Sequence, residues 1–300
     1  MKIILIGAPT TIGQNYLKIA PKRGLTTHSV IESNEAGNSF INGTKGIYNK
    51  FTILDINNRQ KFQEFCFQEW PDVIINCSEC SDCEELMAEK NTHFPKFLAQ
   101  LTHHLGTKLI HLSSNAIFNG ESDRAYRATD KPNPLNYYGQ TKLMGEKEIL
   151  KNNESNPIIL RIPQLILGGT KISERNFNQK VITKARKRIP IKVNKLCNRQ
   201  PAGSNNIADV LIELTQRNDL HGIYHWAGAE EINEYELAFE ILNRAGISNP
   251  KSYLIDVSAD KGNLNFRMDL NPLRNKLKTK ALNIDKTLKE LDFKEPLELN

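Results

Sequence analysis

The sequence predicts an α/β protein: a doubly wound parallel sheet of the Rossmann type, followed by a smaller C-terminal substrate domain. Three observations carry this expectation. The chain opens on Met1-Lys2-Ile3-Ile4-Leu5-Ile6-Gly7, a short β-branched apolar run bounded by glycine, which fits a strand buried on both faces. Apolar strand-like segments then alternate with helical ones through the first 160 or so residues. Finally, 300 residues with 39% hydrophobic content can bury a substantial core as one or two domains.

Taken in order, the first strand (2–6) leads through Gly7-Ala8-Pro9-Thr10-Thr11-Ile12-Gly13 into an amphipathic helix over 12–20. Strand, glycine turn and helix together resemble the opening of a dinucleotide-binding unit, with phosphate at the helix N-terminus. The glycine pattern is incomplete, because Thr10 stands where a third glycine would allow the closest backbone approach. Pro9 also stiffens the turn, so an ordinary strand–helix connection fits equally well. Further strands are predicted over 27–31, 51–54, 72–76, 107–112 and 157–161, and further helices over 58–68, 82–104 and 135–152. Beyond Pro163 the pattern changes. Gly168-Gly169 leads to a basic helix-like stretch over 175–188, a helix over 205–216, the strand Gly222-Ile223-Tyr224-His225-Trp226 and an amphipathic helix over 234–245. The expected division is a dinucleotide-binding domain over 1–163 and a smaller substrate domain over 164–300, with segments near 205–228 returning to the first.

Composition narrows the function. No stretch approaches a membrane span, and the first run lacks a signal peptide's cleavage site. The net charge of +6 is spread among acids without an aromatic-interleaved basic stripe, so neither nucleic acid nor membrane is an expected partner. The densest basic stretch, Arg274 to Lys280, reads as a solvated surface. Five cysteines, an odd number, suggest reduced thiols and a cytoplasmic location. Cys77-x-x-Cys80-x-x-Cys83 is spaced like part of an iron–sulfur ligand run. It lacks a fourth nearby cysteine and the following proline, so buried or partly buried thiols and no metal are expected.

Tyr138-Gly139-Gln140-Thr141-Lys142 carries the chemistry. Residues four apart share a helix face with Cβ atoms about 5–6 Å apart. An ammonium beside a phenol favours the phenolate, so Lys142 is expected to pull Tyr138 below its ordinary value near 10 and into acid–base range. Ser114, at the end of a predicted strand, could hold the substrate oxygen.

Ordered motifs extend the pattern. Ile74-Ile75-Asn76-Cys77 follows the fourth strand and Asn91 lies in the next helix. His111-Leu112-Ser113-Ser114-Asn115-Ala116-Ile117-Phe118-Asn119-Gly120, Tyr126-Arg127, Pro132-Asn133-Pro134-Leu135-Asn136, Leu160-Arg161 and Gly222-Ile223-Tyr224-His225-Trp226-Ala227-Gly228 come in register. In these the chain resembles an extended short-chain dehydrogenase/reductase of the dTDP-4-dehydrorhamnose reductase type, a branch that also contains the methionine adenosyltransferase beta subunit. The resemblance covers nearly the whole chain and is firmest between 72 and 163.

The resemblance implies NAD(P)H-dependent reduction of a 4-keto-6-deoxy nucleotide sugar in rhamnose or polysaccharide precursor synthesis. Tyr138 would protonate the C4 carbonyl oxygen, Lys142 would bond the nicotinamide ribose, and Ser114 would orient the carbonyl with Asn115 beside it. Cofactor contacts would come from Gly7, Thr10, Thr11, Ile12 and Gly13 in the first turn, and from Asp55 and Ile56 after the third strand. Asn76, Cys77 and Ser78 after the fourth strand, then Asn91 and Arg161, would complete them. Asn91 would support the active-site lysine, although a plain helix-face polar residue fits as well. Glu32, nineteen residues beyond Gly13, would accept from the ribose hydroxyls and repel a 2′-phosphate, a slight lean to NADH over NADPH. It could also be a solvated loop acid, with Lys45 and Lys50 available to a phosphate. A homodimer is a possible assembly.

Departures cluster at the substrate shell. Ala116 replaces a tyrosine, Asn115 an aspartate and Ala128 a glutamate. Ile162-Pro163-Gln164 stands for Thr-Ser-Trp, and Gly262-Asn263 for an Arg-Pro pair. Retained catalytic hydroxyls with an altered shell also fit a non-catalytic cofactor-binding regulatory subunit, or a nucleotide-sugar epimerase.

Overall fold

The computed structural model describes residues 1–32, 50–81, 83–151, 156–168 and 177–291. Lys45 and Gly169 lie outside them. The strands, in chain order, are β1 (Ile3–Ile6), β2 (Thr27–Glu32), β3 (Phe51–Leu54), β4 (Val73–Asn76), β5 (Lys108–Ser114), β6 (Ile158–Ile162), β7 (Ile166–Leu167), β8 (Ile191–Val193), β9 (Cys197–Arg199), β10 (Ala202–Gly203), β11 (Gly222–His225), β12 (Ile232–Asn233), β13 (Leu254–Asp256) and β14 (Leu264–Asn265). Seven of them form one sheet in the order β11-β6-β5-β4-β1-β2-β3. Every pairing in it is parallel. The six strands predicted in the first half each lie within two residues of their expected bounds.

The main helices are α1 (Thr11–Ile19), α2 (Arg59–Glu69), α3 (Glu84–Ala88), α4 (Phe94–Leu105), α5 (Tyr137–Lys151), α6 (Phe177–Arg186), α7 (Ser204–Thr215) and α8 (Glu234–Arg244). Strand periodicity sorts β1 between two cores. Ile3 and Leu5 face the layer of Tyr16 and Leu17 from α1 and Ile207 and Leu211 from α7. Ile4 and Ile6 face Phe62 of α2 and Leu98 of α4. All four β1 side chains are fully buried, each worth about 1.5–3 kcal/mol.

A third core gathers Val181 and Ile182 of α6, Leu237 and Ile241 of α8, and Ile191 and Val193 of β8. Residues 204–226 instead belong to the first core, where Tyr224 and Trp226 pack beside α7. Asn15 Nδ2 on α1 donates to Ser204 Oγ at 2.7 Å, across 189 residues of sequence.

The single helix expected over 82–104 is broken. Glu89–His93 forms a π-helical turn between α3 and α4, with Phe94 N–H reaching Glu89 O. Pro95 supplies the reason: it has no N–H for the carbonyl of Asn91. That carbonyl faces Gly145 of α5 so closely that a Cβ there would overlap it. Such single π turns gather at functional sites, and this one carries Asn91.

Candidate functional site

The strand order reverses between β1 and β4, which opens a crevice at their C-terminal ends. Gly7 makes the turn out of β1 at φ +84°, and a Cβ on it would sit 2.5 Å from Ser78 N in the loop after β4. Gly13 lets α1 pass directly over that turn, since a Cβ there would overlap Gly7 O. Thr10 works differently from the glycine it replaces. Its hydroxyl donates to Gly7 O at 2.8 Å and accepts from Gly13 N at 3.1 Å, capping α1. Thr10 N is bonded to Gly7 O as well. Of the four N–H groups that a helix start leaves without an internal acceptor, Thr11 and Ile12 remain for an anion. The close backbone approach at Gly7 and Gly13 and this pair of donors fit a dinucleotide pyrophosphate.

The loop after β4 is clamped on both sides of Glu79. Asn76 Oδ1 accepts from Ser78 N at 3.0 Å and Ser78 Oγ at 2.6 Å, while its Nδ2 donates to His111 Nδ1 at 3.1 Å. Asn91, fully buried, accepts from Cys80 N at 3.1 Å, donates to Cys80 O at 2.8 Å, and donates to Thr141 Oγ1 at 3.1 Å. Thr141 Oγ1 in turn donates to Tyr138 O at 2.9 Å. Asn91 thus braces the β4 loop against the helix turn that bears Tyr138. Cys77 is buried, with its thiol pushed up by desolvation, and Cys80 Sγ donates to Cys83 O at 3.6 Å. Among the described residues, no group of three or more His, Cys, Asp or Glu could hold a metal.

Ser114 ends β5, buried, with its Oγ accepting from Ala116 N at 3.1 Å. It neighbours the Tyr138 hydroxyl, on which its hydrogen bond acts to lower the pKa. Lys142 is buried, and its Nζ donates to Leu112 O at 2.7 Å. Burial pulls the ammonium below its ordinary value, opposed by Glu79 and Glu146. Tyr138 Oη donates to Glu79 Oε2 at 2.8 Å. The expected downward shift of the phenol is therefore reversed. Desolvation, then the Glu79 carboxylate, hold Tyr138 well above its ordinary value. Glu79 went unnoticed in the sequence because nothing local marks a contact made across 59 residues.

The outer cofactor positions divide. Glu32, at the C-terminal end of β2, accepts from Lys90 Nζ at 2.5 Å, both side chains being less than one-fifth exposed. Asp55 is exposed and caps its own turn by accepting from Asn57 N at 2.9 Å. Ile56 is buried, and its carbonyl accepts from Arg59, which also pairs with Glu89. Two expected contacts are engaged elsewhere. Asn115, expected beside the substrate, spends both ends of its amide on Gln164 N (3.0 Å) and Phe266 O (3.2 Å).

Arg161 is 2% exposed. Its guanidinium binds both Glu146 oxygens at 2.9 and 2.8 Å, Ala128 O at 3.1 Å and His225 Nε2 at 3.3 Å, and lies over the Phe118 ring. Ser113 Oγ adds a 2.5 Å bond to the same carboxylate. These are packing ties beneath the site, where a cofactor contact was expected. An arginine within a strand reads alike in either role.

Two buried imidazoles flank this network. Burial and the Arg161 charge push His225 down to about 3, and burial followed by Lys142 holds His111 well below 6.5. Both stay neutral when folded, whereas the unfolded chain binds their protons once pH falls below about 6.5. Their contribution to stability is complete above that pH and is lost progressively toward pH 3. Each unit of that descent is expected to cost up to about 1.4 kcal/mol per imidazole. Melting temperature followed from pH 7 to pH 5 at fixed ionic strength checks this. A flat profile contradicts it.

A glycine turn at the switch point of a parallel sheet, with Ser, Tyr and Lys beside it, is an arrangement that suits a dinucleotide. The family described as RmlD substrate binding domain matches residues 1–297, and the chain belongs to it. Methionine adenosyltransferase 2 subunit beta of Xenopus laevis is 32% identical over 194 residues, 61% of this chain and 53% of the relative. The chain thus spans about half the length of that relative. dTDP-4-dehydrorhamnose reductase of Shigella flexneri is 28% identical over 209 residues, 65% of this chain and 68% of that one.

Among solved structures, a hypothetical dTDP-4-dehydrorhamnose reductase from Sulfolobus tokodaii superimposes with TM-score 0.78 at 22% identity, over 97% of this chain and 100% of its own. dTDP-4-dehydrorhamnose reductase from Bacillus anthracis, in complex with NADP, gives 0.75 at 18%, over 97% and 98%. At these identities the structures speak for the fold alone. Among the described residues no helix is long and apolar enough to cross a membrane.

Proposed function

We propose that the protein reduces a 4-keto-6-deoxy nucleotide sugar with NADH or NADPH. The observation that supports this most is the Ser114 hydrogen bond on the Tyr138 hydroxyl, with buried Lys142 one helix turn along, beside a crevice whose turn and helix donors suit a pyrophosphate. A bound reduced nicotinamide supplies the hydride for the carbonyl carbon. The Tyr138 hydroxyl gives its proton to the carbonyl oxygen, the Ser114 hydroxyl orients that oxygen, and the Lys142 ammonium offsets the phenolate left behind. On this reading residues 164–300 supply the sugar side, except for 205–228, and the protein works as a cytoplasmic homodimer in carbohydrate precursor synthesis.

A second reading is a cofactor-binding regulatory subunit. The methionine adenosyltransferase 2 subunit beta relatives favour it, as does an Asn115 amide committed to the fold. NADH and NADPH consumption with dTDP-4-keto-6-deoxy sugars separates the two. Saturable cofactor binding without turnover selects the regulatory reading.

The same kinetics test cofactor choice. Glu32 at the end of β2 is expected to disfavour a 2′-phosphate, softened by its pairing with Lys90. One such repulsion at about 4 Å in water is roughly 1 kcal/mol, a factor of about five. We expect a modest NADH preference that Glu32→Ala reduces or reverses. A strong wild-type preference for NADPH means that Glu32 does not face the ribose.

A further inference from the structure

The Tyr138 phenol, on the proposed reaction, delivers its proton to substrate and must recover it before the next turnover. Glu79 is the acidic group in contact with it, at 2.8 Å. Its position is built into the fold. Asn76 fixes Ser78 on one side of it and Asn91 fixes Cys80 on the other, and Asn91 also ties that loop to the α5 turn through Thr141. Glu79 itself is exposed, whereas Lys142 is buried with its ammonium on Leu112 O. One carboxylate therefore touches both the phenol and solvent.

We propose that Glu79 is a further catalytic residue, a carboxylate relay that returns the proton from solvent to Tyr138. The inference rests on the reductase reading. The step balances as follows. Hydride from a reduced nicotinamide forms the new C–H bond and the carbonyl π pair moves to oxygen. That oxygen takes the Tyr138 proton, leaving an alcohol and a phenolate. The phenolate now stands beside a carboxylate, and two adjacent negative charges raise the affinity of the pair for a proton. Glu79 takes one from solvent and passes it to the phenolate, so one hydride and one proton are consumed per alcohol. The groups acting on the phenol are Glu79 from the β4 loop and Ser114 from β5. Lys142 from its own helix acts in turn with Glu146, Cys77 and His111.

The test compares wild type, Glu79→Gln and Tyr138→Phe. In the ligand-free protein, ultraviolet difference titration against Tyr138→Phe isolates the Tyr138 phenol. Removing the neighbouring carboxylate is expected to move its ionisation down by about one unit or more. In turnover, Glu79→Gln is expected to lose about tenfold or more in kcat with KM little changed, the low end of acid–base effects. Small carboxylic acids added to Glu79→Ala are expected to restore part of the rate. An unchanged phenol titration, or an unchanged kcat at every pH in a wild type that turns over, overturns the relay alone. A wild type without turnover, cofactor bound, overturns the reductase reading and the relay with it.

Discussion

Tyr138→Phe is expected to lower turnover by about 10²–10⁴-fold, the usual worth of a positioned acid, and to leave dinucleotide affinity within a few-fold. The substitution removes one oxygen from a ring whose remaining contacts are unchanged. What disappears is the proton donor, together with the 2.8 Å bond to Glu79. Burial, then Glu79, hold the phenol well above its ordinary value, so Tyr138 is protonated at neutral pH. Steady-state kinetics with cofactor titration calorimetry check the expectation. A variant that retains full activity removes Tyr138 from the role of acid. One that loses cofactor affinity in parallel assigns the phenol to binding instead.

Glu146→Ala is expected to destabilise the fold by about 3–5 kcal/mol, the cost of breaking a buried ion pair from one side. Glu146 and Arg161 are 1% and 2% exposed, and the carboxylate also holds Ser113. Deleting it leaves a guanidinium with no countercharge between Phe118 and His225. The double substitution Glu146→Leu with Arg161→Met is expected to recover much of the loss, since well-packed apolar replacements of such pairs are often near neutral. Chemical denaturation of the three proteins decides the matter. A single variant as stable as wild type means that the pair is not what braces β6 against α5.

The strands were legible because parallel strands buried on both faces read as unbroken apolar runs, and Val73-Ile74-Ile75 and Leu109-Ile110 have no other use. The Tyr138 and Lys142 pair was legible because four residues is one helix turn. Thr10 looked like a defect when judged against glycine, yet its hydroxyl makes the cap that a glycine lacks. The π turn had a visible signal in Pro95, which a count of helical periodicity overlooks. Glu79 was missed, and the partners of Arg161 were not visible, for a deeper reason. A carboxylate 59 residues from a phenol, or a guanidinium fifteen residues from a carboxylate, acquires its meaning only when the sheet closes.

The placing of α7 against α1 also bears on how the chain is made. Ribosomes release the glycine turn and the catalytic helix first, but the α1 face that covers β1 stays open until residues 204–226 emerge. At about 5–20 residues per second, the stretch from the end of β6 to the end of α7 takes roughly 3–10 s. Through that interval Ile12, Tyr16 and Leu17 have no lid, and β6 lacks its neighbour β11. The nascent first half thus exposes that apolar face while it waits, and a truncated 1–163 fragment would keep it exposed for good.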